Sequence, residues 1–270
     1  MVLNRDKLDI LMEEVERCAT LAYEMQCECV RDYKKDGSVI TKADTTISKR
    51  IMVMISKLFP TCNRISEEES SYFNEDAPFT FILDPIDGTD VYSQGLPLYT
   101  VALGILDSKN LPVGAMIVAP RFGIARERLS LRLDPGEKLI LDGKGFNLPQ
   151  EVNKDYPTQI TVSSSTQKHL NFSLYKGKIR TFGSTILHLI CPVISPFIQG
   201  CINQKAYVWD IAASHAVLKA MGMDCVYFDG TPLCYTNEML VERKRCQGTI
   251  YCGNEACRDT MRALLPLKEE

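Results

Sequence analysis

One nine-residue stretch constrains this chain more than any other: Phe81-Ile82-Leu83-Asp84-Pro85-Ile86-Asp87-Gly88-Thr89. Apolar residues run straight into two carboxylates three positions apart, with a proline between them and a glycine after them. The pattern reads as a strand that ends in a cation cradle. Proline holds one backbone angle and Gly88 permits a positive one, so a tight bend aims both carboxylates and the Ile86 carbonyl at one point. Hard divalent cations take such oxygen ligands. Past the glycine, the amides of Gly88 and Thr89 open a helix or turn and offer donors to a phosphate oxygen, placing an anion site beside the cation site. An ordinary Asx or proline turn accounts for a lone Asp-Pro pair but not for the whole string.

Length and composition bound what such a site belongs to. At 270 residues, 45% apolar and 24% charged, the chain can bury a full core. The expectation is a single domain over residues 1–270, with an N-terminal lobe to about 150 and a C-terminal lobe from about 151. The start is charged and no apolar run approaches the roughly 18 residues of a membrane span, so the expected address is cytoplasmic, with no membrane partner. Net charge is −3, and the basic cluster Glu242-Arg243-Lys244-Arg245 carries an acid beside it. A nucleic-acid surface is therefore not expected, while small anionic ligands remain open.

Eleven cysteines, an odd count with no C-x-x-C, lack the spacing of a disulfide framework or a zinc knuckle. They read as reduced, mostly buried thiols. Cys252 to Arg258 matches the C-x5-R loop of cysteine-dependent phosphatases, but roughly 0.6 such matches arise by chance at this composition. Glu255 inside that loop would also repel phosphate. Such an enzyme would keep its activity in chelator and lose it on Cys252→Ser.

Along the chain, Leu8, Leu11, Met12, Val15, Cys18, Ala22 and Met25 mark one face of a helix from Asp6 to about Cys29. Lys34 to Ser38 is a turn, Val39-Ile40 a short extended piece, and Ile47, Ile51, Met54, Ile55 and Leu58 the buried face of a second helix ending at Phe59-Pro60. Asp44 stands at its start, either as the N-cap or as a carboxylate facing a metal. Glu67-Glu68-Glu69 and the polar stretch Ser70 to Asp76 follow. Glu67 lies seventeen positions before Asp84, the length of a loop returning to an adjacent strand, so it can supply a third carboxylate. Tyr99–Leu106, Val113–Ala119 and Ile124–Leu133 read as strands of an antiparallel meander.

The later half predicts a strand at Gln159–Val162 running into the hydroxyl cluster Ser163-Ser164-Ser165-Thr166, and a buried helix after Ser184 interrupted by Pro192 and Pro196. Tyr207-Val208-Trp209-Asp210-Ile211-Ala212-Ala213 again sets an acid after apolar residues, ahead of a helix closed by Gly222. There Asp210 reads as an N-cap and Trp209 as core. His169, His188 and His215 show no ligand spacing and read as satisfied or half-buried polar residues.

Four motifs in order, Thr41-Lys-Ala-Asp44, Ile65-Ser-Glu-Glu68, Asp84-Pro-Ile-Asp-Gly-Thr89 and Trp209-Asp-Ile-Ala-Ala213, resemble those of the inositol monophosphatase-like, lithium-sensitive phosphatase superfamily. The resemblance runs from the first helix to the last strand and helix. It implies an α/β (α+β) fold, a layered α-β-α-β-α sandwich, commonly a homodimer, with magnesium as cofactor and lithium as inhibitor. By the same resemblance Glu67, Asp84, the Ile86 carbonyl, Asp87 and Asp210 hold two or three magnesium ions, and Asp44 serves a further metal or the attacking water. Thr89, bonded to Glu67 or Asp44, orients that water. Gly88, Thr89, Asp90, Ser164 and Ser184 are the expected phosphate- and substrate-binding positions.

The substrate implied is a small phosphorylated metabolite. The interval Gly200 to Tyr207 lacks the glutamate with which inositol monophosphatases hold a ring hydroxyl. Ser66 and the Ser163–Thr166 cluster look more like the branch acting on 3′-phosphoadenosine 5′-phosphate. A sugar bisphosphate stays open, with Lys205, Arg180 or Arg121 as a second anion site. Asp90 would oppose a second phosphate unless a base or metal offsets it. A non-catalytic regulatory or interaction member of the family is the reading from a different class.

Overall fold

The computed structural model describes residues 2–69, 71–123, 125–148 and 157–268. Helix α1 (Arg5–Gln26) is capped by Asn4, whose side chain accepts from the Lys7 amide. A two-stranded hairpin follows, β1 (Asp32–Tyr33) and β2 (Val39–Ile40), with Lys34 to Ser38 forming its turn. Helix α2 (Lys42–Leu58) lays Ile47, Ile51 and Ile55 beside the α1 stripe. Strand β3 (Asn63–Ser66) then pairs parallel to β4 (Phe79–Asp87). The short helix α3 (Thr89–Ser93) separates β4 from the antiparallel run β5 (Thr100–Asp107), β6 (Pro112–Ala119), β7 (Leu129–Leu133), β8 (Ile140–Leu141) and β9 (Lys144–Gly145). Seven strands result, a meander as expected except for its parallel first pair. Residues 125–128 precede β7 rather than extend it, and Ile124, Ser70 and the expected lobe boundary near 150 fall outside the described residues.

All nine residues of β4 are buried, because the seven-stranded sheet is covered on both faces. Helices α1 and α2 pack on one face. That explains a strand sequence with a continuous apolar run instead of an alternating one.

The second half builds a five-stranded sheet in the order β11-β10-β12-β14-β13. Its elements are β10 (Gln159–Val162), α4 (Ser164–Gln167), β11 (Lys178–Arg180), α5 (Thr185–Ile194), β12 (Gly200–Asn203), α6 (Val208–Ala220), β13 (Asp224–Tyr227), α7 (Asn237–Leu240), β14 (Ile250–Gly253) and α8 (Glu255–Leu264). Helices α5 and α6 lie between the two sheets, and their buried residues share one core with both. Helix α8 covers the outer face of the second sheet through Cys257 and Met261. Helix pair, sheet, helix pair, sheet, helix is the expected layered sandwich.

Small residues set the spacing of the middle layer. A Cβ on Gly104 of β5 would lie 2.7 Å from the Ala213 amide nitrogen and 2.8 Å from the Ala212 Cβ. The glycine and the alanine pair let α6 settle directly on the first sheet, carrying Asp210 with it.

Pro192 does not interrupt α5, which continues to Ile194. The proline has no amide for the His188 carbonyl, yet that carbonyl accepts instead from the Thr161 hydroxyl at 2.8 Å. Pro196 does stand beyond the helix end. Gly222 ends α6 with φ at 72°, while the Met223 amide returns to the Leu218 carbonyl. Among the described residues no helix is long and apolar enough to cross a membrane.

Candidate active site

Residues three apart on a regular strand point to opposite faces. Asp84 and Asp87 do not, because the β4–β5 register shifts between them: Asp84 pairs with Ala102 and Asp87 with Thr100, so three steps on β4 oppose two on β5. Pro85 and Ile86 occupy the bulge, where the missing proline amide removes no ladder bond. Gly88 follows with φ at 95°, and a Cβ there would lie 3.0 Å from the Leu98 carbonyl oxygen, so the turn requires glycine.

Asp210 reaches the same point from α6. It is the third residue of that helix, not its cap, and its carboxylate accepts the Tyr207 amide at 2.7 Å. One oxygen each of Asp84, Asp87 and Asp210 lies within 4.8 Å of the others. Burial, followed by the charges of Glu67, Asp87 and Asp210, holds the Asp84 carboxyl well above the ordinary carboxylate range. Asp210 is raised well above it too, by burial and then by Glu67 and Asp87. Asp87 is raised by burial to about 6, against the pull of three donors. Those donors are the Ser184 hydroxyl and the amides of Thr185, at 3.1 Å, and Ile186, at 2.8 Å, all at the start of α5.

Asp84 Oδ1 is buried with no hydrogen-bond partner. A hard divalent cation suits that unmatched oxygen and its two acidic neighbours, since it would supply the missing charge and accept oxygen donors alone. Glu67 stands next to the group rather than in it. Its amide bonds the Leu83 carbonyl at 3.1 Å, which holds it beside Asp84, and its carboxylate pairs with Lys34 Nζ at 2.6 Å. Burial raises Glu67 to about 7 in spite of that lysine.

Thr41, not Asp44, caps α2, and Asp44 is its third residue. The Asp44 carboxylate accepts the Thr41 amide at 2.8 Å, the Thr41 hydroxyl at 2.6 Å and the Thr89 hydroxyl at 3.0 Å. With both oxygens taken by protein donors it lies outside the three-carboxylate group, and burial raises it to about 6. Thr89 pairs with Asp44 and with the Ile86 carbonyl at 2.9 Å, not with Glu67.

Three expected substrate contacts change meaning. Ser184 is fully buried: it caps α5 by accepting the Leu187 amide at 3.0 Å and donates to Asp87, so it positions a carboxylate and has no surface for a ligand. Arg121 donates to Gln26 Oε1 and the Gly95 carbonyl, and Arg180 to the Ile179 carbonyl, so neither lines the cavity beside the acidic group. Asp90, Ser164, Lys205 and Asp210 do line that cavity, whose volume is about 670 Å3. The Asp90 charge is met by Arg31.

Several contributors escaped the sequence reading. Lys34 stands in the hairpin turn as expected, and its side chain also pairs with Glu67 and Glu68. Arg243, read only as part of a charge cluster, donates to the carbonyls of Ser66, Glu67 and Glu69 at 2.9, 2.7 and 3.1 Å. Its guanidinium sits 4.6 Å from the Trp209 ring centre, Trp209 stacks on Tyr207, and Arg245 covers Tyr207 at 4.8 Å. The sole available signal was the matched spacing of Arg243-x-Arg245 and Tyr207-x-Trp209, which no local rule connects.

The C-x5-R match has no catalytic geometry. Cys252 is buried in the middle of β14, burial pushes its thiol well up, and Arg258 donates to the Gly253 carbonyl. All eleven cysteines are free and eight are buried. Trp209 is buried as expected; His188 and His215 are more enclosed than expected, and His215 bonds Tyr235 and Asp224.

Known proteins resemble this chain in sequence and in fold. The fructose-1,6-bisphosphatase/inositol-1-monophosphatase of Aquifex aeolicus is 24% identical over 198 residues, covering 70% of this chain and 72% of the relative. The 3′(2′),5′-bisphosphate nucleotidase CysQ of Buchnera aphidicola is 25% identical over 236 residues, 86% of this chain and 87% of the relative. A solved IMPase/NADP phosphatase complexed with Mg2+ and phosphate has the same fold, with a TM-score of 0.78 at 17% identity over 97% of each chain. The profile of the inositol monophosphatase family matches residues 8–253, a span that takes in both sheets and every carboxylate described above. On that coverage the chain belongs to the inositol monophosphatase family.

Proposed function

We propose that this protein is a magnesium-dependent phosphomonoesterase that hydrolyses a small phosphorylated metabolite by direct attack of water. The observation that carries the reading is the unpartnered Asp84 oxygen within a group of three buried or half-buried carboxylates, a few residues from a Thr–Asp pair and beside a cavity. Glu67, Asp84, the Ile86 carbonyl, Asp87 and Asp210 would hold two or three magnesium ions. Bound there, magnesium neutralises phosphate oxygens and makes water more acidic.

The chain's own residues do the rest. Asp44 accepts the Thr89 hydrogen, which leaves a lone pair of Thr89 Oγ1 facing the site to receive a hydrogen from the attacking water. A carboxyl held near 6 suits that base role close to neutral pH. The amides of Gly88 and Thr89 lie at the start of α3, with no intrahelical acceptor, and hold the phosphate. Ser184 and the first amides of α5 keep Asp87 aimed at the site. Lithium inhibition and a homodimer belong to the same proposal through the family resemblance.

The test is phosphate release with magnesium, with and without lithium, from inositol 1-phosphate, 3′-phosphoadenosine 5′-phosphate and fructose 1,6-bisphosphate. Release from one of them, abolished by chelator and by Asp87→Asn, is the expected result. Activity that survives both treatments would overturn the metal-dependent reading. A trapped phosphorylated enzyme would overturn direct attack by water.

A further inference from the structure

We infer that the substrate cavity contains a second anion subsite, made by Lys205 and Arg245, and that the preferred substrate therefore carries a second phosphate besides the one hydrolysed. The inference rests on the phosphatase reading above and narrows its substrate class.

Both cations line the cavity that Asp210 also lines, so they share one space with the acidic group. Neither makes an ion pair with a carboxylate among the described residues, although the fold pairs many of its other basic side chains with acids; Arg245 acts on Asp210 only through its charge. The Arg245 guanidinium carbon lies over the Tyr207 ring, 4.8 Å from its centre. A guanidinium placed over an aromatic ring keeps N–H donors available for an oxyanion, a use in which arginine outperforms lysine. The rest of the lining suits an anion as well: Ser164 and Gln204 add polar side chains to the cavity wall, and no acid stands between Gly200 and Tyr207.

The one acid in the cavity wall outside the catalytic group, Asp90, has its charge met by Arg31 and by Gln94. The repulsion that Asp90 would impose on a second phosphate is thereby largely offset. A volume of about 670 Å3 exceeds what a lone phosphate group needs and suits a metabolite-sized body between two anionic ends. Leu96, Leu98 and Phe182 give that body an apolar wall. The shared chemistry is a second phosphate; a nucleoside and a sugar are the two bodies that present it.

The test compares each bisphosphate with its counterpart lacking the second phosphate. Pairs are 3′-phosphoadenosine 5′-phosphate with adenosine 3′-monophosphate, and fructose 1,6-bisphosphate with fructose 1-phosphate. The wild-type enzyme is expected to favour one bisphosphate by roughly 10- to 100-fold in kcat/KM, the scale of a charge-assisted hydrogen bond. The favoured pair identifies the body. Lys205→Gln and Arg245→Gln are each expected to lower that ratio about tenfold, through KM, with Arg245→Lys restoring part of it. A wild type without preference, or a preference that survives the double variant, overturns the subsite.

A generic aryl phosphate separates the two readings. Chelator-sensitive release from it with no bisphosphate preference overturns the subsite alone, while silence on every ester overturns the phosphatase reading. In that last case calorimetric binding of the two bisphosphates decides the subsite. Weaker binding by Arg245→Gln supports it, and unchanged or absent binding overturns it.

Discussion

At the scale of single residues, the site is made by carboxylates that serve two masters. Asp44 and Asp210 each occupy the third position of a helix and each accept the amide three residues earlier, so the capping interaction that starts the helix also fixes the acid's direction. The local sequence pattern places both at helix starts, Asp210 as a cap and Asp44 as either a cap or a carboxylate facing a metal; the difference of three positions matters because only the third residue can turn back over the helix mouth. Thr89→Val is expected to lower kcat by roughly 10²- to 10⁴-fold, while magnesium binding measured by calorimetry stays close to that of the wild type. A comparable loss of magnesium binding would contradict the separation of Thr89 from the cation ligands. Arg243 acts one layer further out, since its guanidinium spans three carbonyls of the Glu67 loop. Arg243→Lys cannot reproduce that fork. It is expected to raise the magnesium concentration for half-saturation about tenfold, and unchanged calorimetric affinity would show that the loop holds its shape without it.

Elements are where local rules and tertiary context diverge most. The β4 stretch kept its sequence meaning, because an apolar run, a proline and a glycine dictate strand, bulge and turn whatever surrounds them. Helix α5 did not, since its proline is tolerated only through a hydroxyl from β10, residues away in sequence and adjacent in space. Thr161→Val would leave the His188 carbonyl buried and unpaired, a loss of about 1–3 kcal/mol. In a Pro192→Ala background the new amide can reach that carbonyl, so the same substitution should cost less. Urea unfolding of the four proteins measures this, and a strictly additive cycle would remove Thr161 from the account.

For the whole molecule, the acidic group sets a stability that depends on pH and on cations. Its carboxyls keep their protons to a higher pH folded than unfolded, Asp87 to about 6 and Glu67 to about 7. Their contribution is full below the ordinary carboxylate range of ~4 and is lost as pH rises through those values. Chelated protein should therefore lose stability between pH 5 and pH 8 from this group, and Asp84→Asn, by removing one buried charge, should unfold several degrees higher than the wild type at pH 8 but not at pH 5. Saturating magnesium should stabilise the wild type, by about 2.7 kcal/mol at a hundredfold excess over Kd, and the variant less. Equal pH profiles for the two chelated proteins would refute this account.

The amino-acid sequence by itself determined the cradle, the two helix-start acids, the strand run of the first sheet and the reduced state of the cysteines, because each follows from backbone geometry or spacing within a dozen residues. Four ordered motifs were also enough to place the fold. Only tertiary structure decided which oxygens are brought together, that Thr89 chooses Asp44, that Ser184 is spent on Asp87, and that Lys34, Arg243 and Arg245 converge on the site. These contacts join segments 33 to 177 residues apart. Their strength lies in long flexible side chains and loops, whose positions are set by the packing of both sheets and not by any local pattern in the chain.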